Sequence, residues 1–263
     1  MKFLLLIIAL IVLCSCQSDY KNPDNSLIKP YYGVGKRKYD SIDFIKIDTN
    51  KPEHELYEIG REFMFSEHPI FAYRKGREIA FAEPKDRHRS ESSFKLSDGK
   101  LEIINHGEFG GALNFISSKN PNDTTHIFGS PVLYVFRFNS KIYFINGIAM
   151  SDRGGYIFEL TKENHKYSYK KILALDSGVD ALTIHNNKIF IASCNLFTVV
   201  EDFKKKNLMQ NEIWLQSRKY SVVAKNDEEI IIGMNGGYSI LNLTSNNISY
   251  YRYKGEKSAK TNY

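Results

Sequence analysis

Short apolar runs, split by Asn, Asp, Gly and Ser and recurring roughly every 40 to 50 residues, predict an all-β fold. The form predicted is β-propeller-like: five blades of antiparallel strands, with six as the other count. Three observations carry this. First, four segments align with one another: KLEIINHGEFGGALNFIS from Lys100, KIYFINGIAMSDRGGYIFEL from Lys141, KIFIASCNLFTVVEDF from Lys188 and EIIIGMNGGYSILNL from Glu229. Each opens on a charged residue, runs through an apolar stretch, turns, and enters a second apolar stretch. Their first residues are spaced by 41, 47 and 41 positions. Second, the composition has a β-branched and aromatic bias, with 17 Tyr and 17 Phe against one Trp, and that bias favours strands. Third, the pairs Gly110-Gly111, Gly154-Gly155 and Gly236-Gly237 recur just before the second stretch. Such pairs allow positive φ in tight hairpins, and their repetition points to a structural role.

The chain opens with MKFLLLIIALIVL. Lys2 is followed by eleven apolar residues, Phe3 to Leu13, where a bilayer-spanning helix needs about 20. The run suits the apolar region of a secretory signal. It ends Leu13-Cys14-Ser15-Cys16, which resembles the lipobox of bacterial lipoproteins. Cys16 has an aliphatic residue three positions before it and a small residue directly before it, whereas Cys14 follows bulky Leu13. The resemblance implies a signal peptide over residues 1–15, acylation of Cys16 and loss of Cys14. A simple signal peptide or an uncleaved anchor is the other reading. Gln17 is not the aspartate that holds many such lipoproteins at the inner membrane. The expected place is therefore the outer membrane of a Gram-negative-type bacterium, with the protein facing the periplasm or the outside. More than one acyl chain holds a protein firmly to a bilayer.

Residues 16–41 read as a polar tether, ordered only near its end, and GVGKRK within them lacks the glycine and the preceding strand of a phosphate loop. Residues 42–263 form the propeller-like domain. HELYEIGREFMFSEH, 54 to 68, is open between helix and strand: Leu56, Ile59 and Phe63 follow helical spacing, and Gly60 interrupts them. An extra unit starts at Glu78 in REIAFAE. Ala181 to Ile184, Tyr220 to Ala224 and Ile248 to Tyr253 supply further strands. Stretches such as Ile142 to Ile145 are apolar throughout, as expected where a sheet is covered on both faces. Irregular meanders in a single sandwich are the competing architecture. No tryptophan-aspartate signature of a WD40 array is present.

Net charge is +6. The excess is diffuse apart from Lys204-Lys205-Lys206 and the tail KGEKSAK. An exported protein meets little nucleic acid, so anionic headgroups, lipopolysaccharide or acidic glycans are the better-placed partners. Cys194 is the one cysteine left after processing, which excludes a disulfide scaffold. It reads as a small buried hydrophobe.

The chain has no serine nucleophile elbow, no complete Walker loop and no zinc-protease helix, since Glu58 stands where the second histidine is required. No cofactor and no metal is indicated. Two clusters carry candidate chemistry. His106 and Glu108, in HGEFGG, could project together from a hairpin as an acid/base pair. Lys85, Arg87, His88 and Arg89 could grip an anion, with Arg153 in SDRGG as an outlying member. For each cluster the plain reading is a solvated polar turn.

The look of GEFGG, IYFINGIAM, LTIHNNKIFIAS and IIIGMNGGYSIL is similar to propeller-like bacterial proteins of unassigned function. That resemblance covers residues 95 to 245 and implies a fold rather than an activity. The function expected is a lipid-anchored envelope binding or scaffolding module for a glycan, peptide or envelope protein. The alternative is a glycan-acting hydrolase or lyase with its site at the axial end.

Overall fold

The computed structural model describes residues 32–86, 92–148, 153–164, 166–208 and 212–255. Its N-terminal part contains β1 (Tyr32–Tyr39), a 3-10 turn (Ser41–Asp43), β2 (Phe44–Lys46), helix α1 (Glu53–Met64), β3 (Phe71–Lys75) and β4 (Glu78–Asp86). Four runs of four strands follow. They are β5 (Ser92–Lys95), β6 (Gly99–Asn105), β7 (Gly111–Ser117) and β8 (Thr124–Phe128); β9 (Val132–Phe138), β10 (Lys141–Asn146), β11 (Tyr156–Glu163) and β12 (Lys166–Ala174); β13 (Val179–His185), β14 (Lys188–Ser193), β15 (Phe197–Glu201) and β16 (Lys204–Leu208); and, after helix α2 (Glu212–Gln216), β17 (Lys219–Ala224), β18 (Glu229–Met234), β19 (Gly237–Asn242) and β20 (Asn247–Tyr253).

These strands form five antiparallel sheets, so the count of five blades holds. Four are consecutive meanders. The first sheet has the order β1-β4-β3, and the last takes β2 as a fifth strand beside β20. The four aligned sequence segments are the second and third strands of the four meanders, and the Glu78 unit is the middle strand of the first sheet. The innermost strand of the third sheet is β9, one strand further in than Ile142 to Ile145, and it is buried along nearly its whole length.

Both faces of these sheets are covered. On β10, Phe144 packs toward the second sheet with Leu101, Leu113 and Phe158, while its neighbours Tyr143 and Ile145 pack toward the fourth with Leu182, Ile189 and Ile191. Alternate side chains serve opposite layers, so the strand is apolar without interruption. Phe190, Phe197, Ile230, Ile232 and Leu241 join the fourth sheet to the fifth. Ile70, Ala72, Phe81, Ile231 and Tyr238 join the fifth to the first. Among the described residues, none of these four clusters joins the first sheet to the second.

Local chemistry sets the hairpins. Asn139-Ser140, Asn186-Asn187 and Asp202-Phe203 each have positive φ at both residues, the form that suits two-residue turns between twisted strands. Phe203 at φ 56 is an unusual occupant. Its ring packs against Tyr143 and Phe138 at centroid distances of 4.9 and 5.9 Å, which offsets the strain. The glycine pairs divide into two roles. Gly110 and Gly236 adopt positive φ, as expected. At Gly154-Gly155 the need is for space instead, because a Cβ on Gly155 would stand 2.0 Å from the Asn146 carbonyl oxygen.

Three expectations change. Residues 32–39, assigned to the tether, form β1. Tyr39 is buried against Phe44 and Tyr253, and the strand pairs with β4 from Tyr32↔Asp86 to Tyr39↔Phe81. The open segment 54 to 68 is helical over Glu53–Met64. Leu56, Ile59 and Phe63 lie on the apolar layer of the fourth and fifth sheets, Glu53 and Glu55 stand in the first turn, and Arg61 in the last, each sign favourable to the helix dipole. Cys194 is half-buried rather than a core residue. Residues 1–31, with Cys14 and Cys16, lie outside the described residues.

Candidate functional site

The ring has two distinct ends. Innermost strands β3 and β17 run the same way: the Ala72 N–H donates to Ser221 Oγ at 2.8 Å, and Arg74 donates to the Ala224 carbonyl further along. One end, here called proximal, therefore holds the start of each innermost strand, the loops between second and third strands, the end of α1 and the end of β4. The distal end holds the two other hairpin turns of each meander.

Of the sequence candidates, His106, Glu108, Lys85 and Arg153 fall at the proximal end. His106 and Glu108 are exposed on the 3-10 turn (Gly107–Phe109) between β6 and β7, and Asn105 beneath them fixes the turn through Nδ2 to the Val132 carbonyl at 3.0 Å and Oδ1 to the Gly107 N–H at 2.7 Å. Among the described residues no hydrogen bond joins the His106 and Glu108 side chains. Lys85 is exposed at the end of β4, and Arg153 is exposed in the loop between β10 and β11. Arg87, His88 and Arg89 lie outside the described residues. Among the described residues no group of three or more His, Cys, Asp or Glu is placed to hold a metal ion.

Sequence reasoning singled out Lys204-Lys205-Lys206 only as a charge run, and the structure makes it part of a groove. β16 is the outer strand of the fourth sheet. Its alternation sends Lys205 to one face, where it contacts the Asp176 carboxylate and donates to the Ala174 carbonyl at 3.0 Å. That contact, with a second hydrogen bond from Asn207 at 2.7 Å, holds the Asp176 carboxyl below its usual range. Lys204 and Lys206 belong to the opposite face. There Lys206, Val199 and Phe190 form one cross-strand row, and Lys204, Glu201 and Lys188 the next. With Leu208 and with Leu243 of the fifth sheet they line a groove of about 420 Å³ at the distal end. Phe190, Val199, Leu208 and Leu243 give it an apolar floor, and its rim carries Lys188, Lys204, Lys205 and Lys206 with Glu201 and Asp202. Lys188 is tied to Glu201 at 3.2 Å, while Lys204 and Lys206 have no ion-pair partner among the described residues. The arrangement can seat a ligand with an apolar body and anionic groups. The missed signal was KIFIASC from Lys188, which supplies Lys188 to the rim and Phe190 to the floor.

Lys219 was also missed. It opens β17 at the proximal end and is only 1% exposed. Its Nζ donates to the Trp214 carbonyl at 2.6 Å and the Cys194 carbonyl at 2.9 Å, and lies 4.4 Å from the centre of the Trp214 ring. Burial lowers its pKa to about 8, against the raising effect of buried Asp180 and of Cys194. These contacts fasten α2 and the β14–β15 loop to the ring, a structural use of a charge.

The chain is thus a β-propeller-like protein, with five sheets among its described residues. No protein-family model matches it, and no curated protein does. Its fold is similar to the N-terminal domain of Nup159 (TM-score 0.38, 10% identity, 86% of this chain and 67% of that one). It is also similar to PorZ, a surface component of the type-IX secretion system of Porphyromonas gingivalis (TM-score 0.37, 14% identity, 72% of this chain and 26% of that one). A third likeness is to the WD40 domain of SCAP from fission yeast (TM-score 0.36, 11% identity, 87% of this chain and 58% of that one). The chain spans less than two thirds of the PorZ and SCAP chains.

Proposed function

We propose that this protein is a lipid-anchored binding module of the bacterial cell envelope, held at the outer membrane through Cys16, and that the groove on its fourth sheet receives an acidic partner. The groove carries the reading: Lys204 and Lys206, without an ion pair among the described residues, stand over an apolar floor in a volume of about 420 Å³, with Asp202 the remaining acid beside the paired Glu201. An acidic peptide segment or an acidic glycan supplies the complementary charge, and the apolar floor accepts the partner's carbon surface.

The test is charge reversal at the rim. K204E/K206E is expected to weaken binding of an acidic peptide or polysaccharide by roughly tenfold or more at low salt, with a smaller loss at high salt. K166E/K170E on exposed β12 makes the same change in net charge away from the groove and is expected to have little effect. Equal losses in the two double variants would show that diffuse surface charge, and not the groove, does the binding.

A further inference from the structure

We propose that the proximal end of the ring is a face that rests on the lipid bilayer, leaving the groove at the distal end turned away from the membrane and open to its partner. The inference rests on the lipid anchor proposed above and adds which surface the anchor holds down. The course of the chain supplies the first argument. β1 begins at Tyr32, opposite Asp86, at the proximal end. The stretch from Cys16 to that point is sixteen residues, 16–31. At about 3.3 Å per residue sixteen residues reach at most about 50 Å. An anchor at Cys16 therefore joins the bilayer to the proximal end of the fold.

The second argument is what that end exposes. Phe109 is 85% exposed on the β6–β7 turn, Phe65 and Met64 are 64% and 48% exposed where α1 ends, and Ile148 is 39% exposed in the β10–β11 loop. These three segments belong to different parts of the ring, yet all lie at the same end. Nothing in the fold requires a phenylalanine at a turn tip, and aromatic side chains favour the boundary between headgroups and acyl chains. Charge agrees. The ribbon of β1 and β4, from which the tether departs, carries exposed Lys36, Arg37, Lys38 and Lys85 beside half-buried Glu83. Glu67 and Glu108 are the acidic neighbours of the aromatic residues. Basic residues close to an anionic bilayer each add attraction within a Debye length.

The native fluorescence is convenient for a test, because Trp214 is the single tryptophan and is 1% exposed. Acylated full-length protein carrying F109W or F65W is reconstituted in vesicles with brominated acyl chains and some phosphatidylglycerol. Both added indoles are expected to be quenched and blue-shifted, while Y169W, exposed on the outer strand β12, is not. Equal quenching at all three positions, or none at any, would overturn the proposal. In the unacylated Cys16→Ser chain, F65S/F109S is expected to reduce partitioning to anionic vesicles by roughly tenfold or more, and an unchanged partition would count against the face. Flotation of wild type against Cys16→Ser reports the anchor separately. If the two float equally, the anchor reading falls, and the quenching in the unacylated chain still decides the face.

Discussion

Lys219→Met tests how the ring carries a buried charge. Lys219 is 1% exposed, and burial brings its ammonium pKa from 10.5 down to about 8. Because the folded pKa lies below the unfolded one, the unfolded chain binds more protons between these values. Stability therefore rises with pH across that window, and the cost of the buried charge is fully present below about pH 8. A gap of about 2.5 pH units, at about 1.4 kcal/mol each, sets the full span at about 3.5 kcal/mol, of which about 3 kcal/mol falls below about pH 10. The assay is urea unfolding at several pH values between about pH 7 and about pH 10. Tyr143 and Tyr238, both raised to about 12 chiefly by burial, act in the opposite sense above about pH 10. They are common to both proteins and cancel in the comparison. Wild type is expected to gain up to about 3 kcal/mol over the range relative to Lys219→Met. The variant's absolute stability is not the readout, since the change also removes the lysine donor from the Trp214 and Cys194 carbonyls. Parallel pH profiles for the two proteins would refute the assignment of a depressed pKa to this lysine.

Two further outcomes follow from packing and exposure. Phe63, fully buried where α1 meets the fourth and fifth sheets, is expected to cost about 3–5 kcal/mol when changed to alanine, read as a lower urea midpoint at unchanged m-value. His106→Ala with Glu108→Ala is expected to move stability by no more than about 0.5 kcal/mol, because both side chains are exposed on a turn held by Asn105. The same double variant is expected to leave groove binding unchanged in the acidic-peptide titration, and a loss there would place the partner at the proximal end.

Much of the architecture was legible because the signals are local. The aligned runs at Lys100, Lys141, Lys188 and Glu229 are second and third strands because each carries its own turn residues between two apolar stretches. Asn139-Ser140 and Asn186-Asn187 reveal hairpins for the same reason. β1 was not legible: YGVGKRKY is polar and glycine-rich, and it becomes a strand only because β4 offers it a ladder and Phe44 and Tyr253 cover Tyr39. The groove was half legible. The lysine run shows in the sequence, but its split into a paired Lys205 and unpaired Lys204 and Lys206 depends on which face of β16 meets which neighbour.

By itself the sequence determined the repeat, the strands within each unit and the turns that join them, since periodicity and turn chemistry act over a few residues. Tertiary structure alone decided that β1 and β2 join different sheets, that Lys219 is enclosed, and that Leu243 closes a groove begun at Lys188. Those features arise where segments far apart in the chain come into register, and no local pattern encodes that meeting.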